Sequence, residues 1–276
     1  MQDSRPFALG PLTVLDLAPP EVVDVAARAG YDYAGLRLLP ATPQGIAYPL
    51  MGDSRMLRET LARMRDNGIR IFDLEIVRIN EHFNCDDFLP FLETGAALGA
   101  QCILVAGDDP DISRFTANFA TLCDAAAPFN LKPNIEFMPW TAVPNLQLAL
   151  DILRAADRSN AGLLVDAIHF DRSDSHLDDL AKIPAAWLQY AQICDAPAEK
   201  PTSIDELIRA AREERLLPGE GGMPLADIFS RLPAALPLCV EIPNPQLGTS
   251  EERARRGLEA TRRWCTEHLN PQEAFR

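Results

Sequence analysis

Residues 162–195 read GLLVDAIHFDRSDSHLDDLAKIPAAWLQYAQICD, and the order of the parts sets the architecture. An apolar run, Gly162–Ala167, is followed by a polar segment with helical spacing, His176–Lys182, and then by a second apolar run, Leu188–Cys194. The runs are largely apolar throughout rather than alternating, which predicts strands buried on both faces, as in parallel sheets covered by helices. Run, helix and run together make a βαβ unit.

The same order extends in both directions. Further runs at Leu12–Leu17, Tyr33–Leu38, Ile69–Ile76, Cys102–Ala106, Pro133–Phe137 and Leu238–Ile242 bring the number of expected strands to eight. Helical spacing is found at Pro20–Ala29, Ser54–Asn67, Phe88–Leu98, Ile112–Ala127, Leu146–Ala156, Ile204–Arg215, Leu225–Leu232 and Ser250–His268. Gly30, Asn67 and Gly99 stand where a left-handed cap would end a helix. Eight such units in 276 residues predict an α/β chain folded as a single (β/α)8 TIM barrel, a fold that typically takes about 250 residues. The barrel is expected over residues 1–269, with a polar tail at 270–276. An open doubly wound sheet would carry a glycine fingerprint after its first strand, whereas this chain has Leu17-Ala-Pro-Pro-Glu21 there.

With 26 basic and 40 acidic residues the chain carries a formal charge of −14, which repels phosphate backbones and anionic lipid. Nucleic-acid and membrane partners are therefore not expected; a small-molecule substrate is. Four of the six cysteines (Cys102, Cys123, Cys194, Cys239) lie inside apolar runs and none forms a CxxC pair, so reduced thiols are expected. No leader or membrane-spanning run is recognisable, which predicts a cytoplasmic protein.

Barrel enzymes place their chemistry at the C-terminal ends of strands. The fifth run ends on Glu136, the sixth on Asp166 with His169 just beyond, the seventh on Gln192 and Asp195, and the eighth on Glu241. Three carboxylates buried at one mouth would repel one another and lose hydration at several kcal/mol per ion, a penalty that a cation relieves. Glu136, Asp166, the Gln192 amide oxygen and Glu241 form an oxygen-rich set suited to one divalent ion, Mn2+ or Mg2+ first and Co2+ or Zn2+ after them. Of the four histidines, His169 is best placed for proton transfer. Arg78, in Glu75-Ile-Val-Arg-Ile-Asn-Glu81, is a candidate for binding substrate together with Glu75; the alternative for Arg78 is a salt bridge to Glu75 or Glu81. Arg215 and Trp140 are further candidates for binding substrate, and Arg215 precedes a turn-forming loop, Pro218–Gly222, that would close over it. Met138, Trp140 and Phe170 follow strand ends and are candidates for an apolar wall.

From Asn134 to Pro245 the chain resembles the xylose isomerase-like barrels, a superfamily of sugar isomerases and epimerases, inosose dehydratases and 3-dehydroshikimate dehydratases. The resemblance implies metal ligands at Glu136, Asp166 and Glu241, with Gln192 standing where most sugar isomerases have histidine. Gln192, together with Arg215-Leu-Leu-Pro-Gly-Glu-Gly221 and Val240-Glu-Ile-Pro-Asn244, looks closest to the dehydroshikimate dehydratase branch. It further implies divalent-metal-dependent enolisation of a small polyhydroxylated carbonyl compound, with isomerisation or epimerisation of a sugar expected first, from the breadth of the superfamily, and 3-dehydroshikimate-type dehydration as the alternative. Glu136 and Glu241 would face each other across the metal in an epimerase, and His169 would be the base in a dehydratase. Assembly as a dimer or tetramer is implied as well. A DNA-repair endonuclease on the same barrel would need a histidine-rich zinc cluster and a basic face, neither of which the chain supplies. A non-catalytic metal- or ligand-binding barrel is the remaining alternative, should Gln192 mark a weakened site.

Overall fold

The computed structural model describes residues 5–42 and 45–269. Eight parallel strands form in the expected order: β1 (Phe7–Leu9), β2 (Tyr33–Arg37), β3 (Arg70–Ile79), β4 (Cys102–Gly107), β5 (Lys132–Glu136), β6 (Gly162–Asp166), β7 (Leu188–Ile193) and β8 (Leu238–Val240). They close into a barrel, β1 pairing with β8 through Phe7 to Leu238, Ala8 to Cys239 and Leu9 to Val240. Closure pairs every strand on both sides and removes the free sheet edges.

Seven of the eight expected strands are present. The first is a correction: Leu12–Leu17 is not a strand, and β1 lies upstream at Phe7–Leu9. Pro11 lacks an N–H for a sheet and has the φ of a helical first turn, so Pro11–Val14 winds into a 3-10 turn instead. That turn is fastened to the end of β8: the Thr13 hydroxyl donates to the Val240 carbonyl at 3.1 Å and accepts the Ile242 N–H at 2.8 Å.

The helices are also close to expectation. Gly30 and Gly99 take positive φ as helix stops, but Asn67 is the last helical residue and Gly68 is the left-handed cap. His176–Lys182 shrinks to one turn, Leu177–Leu180, while an unforeseen short helix, Ala167–Arg172, starts immediately after β6. The barrel interior is filled by Phe72, Leu104, Leu164 and Tyr190 among the small residues Ala8, Cys102, Ala106 and Cys239. Phe72 packs edge-on against Tyr33 and Tyr190, with ring centroids 5.2 Å apart in each case. A second, larger apolar layer joins the outer faces of the strands to the helices. The four cysteines of the apolar runs are buried and all six are unpaired. Among the described residues no helix is long and apolar enough to cross a membrane. The expected tail at 270–276 lies outside the described residues.

Candidate active site at the barrel mouth

Side chains alternate along a strand, so residues two apart share a face. Below the expected site residues lie Asn134, Leu164, Tyr190 and Cys239, all buried in the barrel; above them, at the strand ends, Glu136, Asp166, Gln192 and Glu241 are also buried. The Asp166 side chain caps the short helix after β6 by accepting the Ile168 N–H at 2.9 Å, and this helix turns His169 back toward its cap. The His169 Nε2 lies 3.6 Å from Asp166 Oδ2 and 3.8 Å from Glu136 Oε1, close but outside hydrogen-bond range. Ligand atoms of Glu136, Asp166 and His169 all lie within 4.8 Å of one another.

Arg215 is not an arm over the mouth. It is only 2% exposed and is drawn in among the carboxylates, where Nη1 donates to Asp166 Oδ2 at 2.7 Å and Nη2 lies 3.4 Å from Glu241 Oε2. Its Nε donates to the Ala211 carbonyl at 2.6 Å. The loop behind it is organised by Asp195, whose carboxylate accepts N–H bonds from Ala196, Gly219, Gly221 and Met223 at 2.8–3.2 Å. Asp195 and Leu216 also exchange backbone hydrogen bonds, which fixes the chain where Arg215 leaves it.

One guanidinium among three carboxylates leaves two negative charges. Burial pushes Glu136 well above the usual carboxylate range, with Asp166 and Glu241 adding to the effect. Burial likewise raises Glu241, assisted by Glu75 and opposed by Arg215. His169 moves the other way: burial pushes it down to about 4, against the pull of Asp166, so its imidazole is neutral at neutral pH and able to accept a proton. Its Nδ1 is buried without a partner among the described residues.

The donors suit a hard cation. The end of the Gln192 amide lies 2.9 Å from Glu136 Oε1 and 3.0 Å from Asp166 Oδ2. With its NH2 inward it donates to both carboxylates; with its carbonyl inward, three oxygens converge at these spacings, an arrangement that a cation or a proton between them satisfies. Neighbouring ligands on an octahedron with ~2.1 Å bonds are about 3.0 Å apart. Glu136, Asp166 and Gln192 therefore fit a divalent ion of this size.

Protons and a cation compete for these carboxylates, which gives a signed expectation. Because Glu136 and Glu241 are raised in the fold, the folded chain holds more protons than the unfolded one above the ordinary carboxylate pKa. Their ionisation therefore erodes the stability of metal-free protein as pH rises through that window. Adding Mn2+ should raise the melting temperature clearly at about pH 8 and much less at about pH 5, because binding there must first displace protons. Equal shifts at both pH values, read by scanning fluorimetry, would move the cation away from these residues.

Around this floor lies a cavity of about 270 Å³, at the small end of ligand pockets. Trp140 and Met138 line it as expected, Trp140 lying edge-on to the His169 ring with centroids 5.0 Å apart. Phe170 does not; it is buried in the outer apolar layer, because the short helix turns it away. Arg78 and Glu75 both line the cavity, but not as partners. Arg78 is held by Asp108 through two bonds of 2.6 and 2.8 Å, and the buried Glu75 is paired with Arg37. The expected alternatives for Arg78, Glu75 and Glu81, are not its partners. Arg37 and Arg212 are cavity residues the sequence did not single out. Arg37 ends β2 and was open to the strand-end rule; Arg212 sits on a helix, where no local signal marks it.

Residues 23–264 match the family model described as the xylose isomerase-like TIM barrel. The chain is 28% identical over 202 residues to a 3-dehydroshikimate dehydratase of Pseudomonas aeruginosa, an alignment covering 71% of this chain and 29% of the length of that protein. It is 24% identical over 227 residues to an inosose isomerase of Halalkalibacterium halodurans, covering 76% of each. Among solved structures it superposes on an IolI protein crystallised with a zinc atom at a TM-score of 0.79 and 20% identity, over 95% of this chain and 99% of that one.

Proposed function

The chain belongs to the xylose isomerase-like TIM barrel family, and we propose that it acts there as a divalent-metal-dependent enolising enzyme of the sugar isomerase and epimerase type, on a small polyhydroxylated carbonyl compound. The observation that carries this reading is the convergence of the Glu136, Asp166 and His169 ligand atoms within 4.8 Å, beside Gln192, on the floor of a small cavity. Glu136, Asp166 and Gln192 would hold the ion, with Glu241, which lies outside the convergent group and against Arg215, as the fourth ligand. When bound, it supplies Lewis-acid stabilisation of the negative charge that grows on a carbonyl oxygen as the neighbouring C–H proton leaves. His169, neutral at neutral pH, accepts that proton. Trp140 braces the imidazole edge-on, and together with Met138, Ile76 and Leu104 makes one wall apolar, which keeps water from the developing charge.

A dehydratase is the second reading, and a specific observation favours it. An epimerase with bases on two faces needs Glu241 free, whereas Glu241 lies against Arg215 and Glu75 against Arg37. His169 is left as the proton acceptor without a partner of its own, and one base suffices to remove a proton and return it to a departing hydroxyl.

Mn2+-loaded protein should be incubated in deuterated buffer with 3-dehydroshikimate, a ketohexose and an inosose. Deuterium entering the ketose or inosose supports the isomerase or epimerase; an aromatic, ultraviolet-absorbing product from 3-dehydroshikimate supports the dehydratase. Neither outcome from protein that has taken up stoichiometric metal would leave a binding barrel and overturn the enzymatic reading.

A further inference from the structure

Asp73 is a buried acid that the proposed reaction does not use. It lies on β3 two residues before Glu75, on the same face of the strand and one step further below the mouth. The carboxylate is completely buried and has no ion pair among the described residues; Tyr190 donates to Oδ2 at 3.3 Å, and Oδ1 has no partner. Gly35 of β2 makes room for it, since a Cβ there would collide with Oδ1. An ionised carboxylate in such a place needs a cation or several donors. Asp195, also buried, shows what the same fold provides for one: four N–H groups. A neutral acid needs far less. The groups facing Asp73 supply no free cation. Cys102 on β4, Tyr190 on β7 and Cys239 on β8 are pushed up by burial and stay protonated, Glu75 adds negative charge, and Arg37 on β2 is paired with Glu75. Burial first, and Glu75 after it, hold the Asp73 carboxyl well above the usual carboxylate range.

We infer that Asp73 is a positioning residue that stays a neutral carboxylic acid in the folded chain, leaving the whole charge of Arg37 to Glu75 and so fixing that pair beside the mouth. Ionised, it would set a second carboxylate against one guanidinium and loosen Arg37, which lines the cavity. The inference rests on this geometry and not on the reaction proposed above, so loss of the enolising function would leave it standing.

Infrared difference spectra of the full chain in deuterated buffer at about pH 7, wild type minus Asp73→Asn, should show a carboxylic-acid carbonyl band. A carboxylate band in its place overturns the inference. Asparagine keeps the shape and an oxygen for Tyr190, and it carries no charge. The folded wild type holds the Asp73 proton at pH values where the unfolded chain has released it. Its folding constant should therefore fall about tenfold per pH unit relative to Asp73→Asn between about pH 6 and about pH 8, one proton being released on unfolding. Glu136 and Glu241 are common to both chains and cancel. A ratio that does not change with pH also overturns the inference. Glu75→Gln frees Arg37 and should lower the pH at which the acid band is lost; an unmoved midpoint overturns the link to the Arg37–Glu75 pair, and with it the positioning role. If Asp73→Asn does not fold, Tyr190→Phe carries the test, because loss of the Tyr190 donor to Oδ2 shifts an acid carbonyl to higher frequency. No shift in that variant overturns the inference.

Discussion

Arg215→Met is expected to destabilise the fold by about 3–5 kcal/mol, the usual consequence of removing one partner from a buried ion pair. For a chain of this size that is a fall in melting temperature of roughly 10 °C. The side chain is unbranched and similar in volume, so lost packing contributes little. What is lost is the donor at 2.7 Å to Asp166 Oδ2, the positive charge 3.4 Å from Glu241, and the bond to the Ala211 carbonyl. Asp166 and Glu241 are then left buried with no cation of the chain against them. Two controls test this account. Adding Asp166→Asn to Arg215→Met should recover part of the loss, because the two side chains are in contact and their effects cannot add. Mn2+ should stabilise Arg215→Met by more degrees than it does the wild type, since the ion then answers three uncompensated carboxylates. A loss under about 1 kcal/mol would show that Arg215 is not the counter-charge of the site.

The barrel was legible because its strands are buried on both faces and so read as uninterrupted apolar runs. β1 escaped for a physical reason. Only three residues long, Phe7–Leu9 is too short to show any period, and the apolar residues after Pro11 supplied a better-looking but false run. The same limit hid the helix Ala167–Arg172, a single turn and a half whose start is set by the Asp166 cap rather than by a hydrophobic stripe.

The floor of the site was legible to the same depth. A polar residue ending a buried strand must point into the barrel mouth, and this places Glu136, Asp166, Gln192 and Glu241 from the sequence alone. Charge pairing was not legible, because the partners are far apart in the chain: Arg215 and Asp166 are separated by 49 positions, and Arg78 and Asp108 by 30. For this reason Arg215 was expected to bind substrate and is found paired with Asp166 and Glu241 instead. The expectation of a cation, built on wholly uncompensated carboxylates, is thereby refined to two remaining negative charges, which one divalent ion matches.

Glu136→Gln should separate stability from activity in a way that only a ligand role explains. The amide has the shape of the carboxylate and keeps an oxygen to accept from Gln192, which lies 2.9 Å away, so the fold loses no hydrogen bond. It also removes a charge that burial and the neighbouring Asp166 and Glu241 disfavour. Metal-free Glu136→Gln should accordingly melt at or above the wild-type temperature at neutral pH. The variant should nevertheless lose the Mn2+-induced gain, and kcat/KM on whichever substrate the wild type turns over should fall about 10²–10⁴-fold, the several kcal/mol that a positioned Lewis acid supplies. Glu241→Gln should lose activity similarly and gain less in metal-free stability, because Arg215 opposes the rise of its pKa. A catalytic defect that comes without any loss of metal-free stability cannot arise from general damage to the mouth. Wild-type turnover in Glu136→Gln, or an undiminished response to Mn2+, would remove Glu136 from the cation site and return the convergence with Asp166 and Gln192 to a proton-held structural cluster.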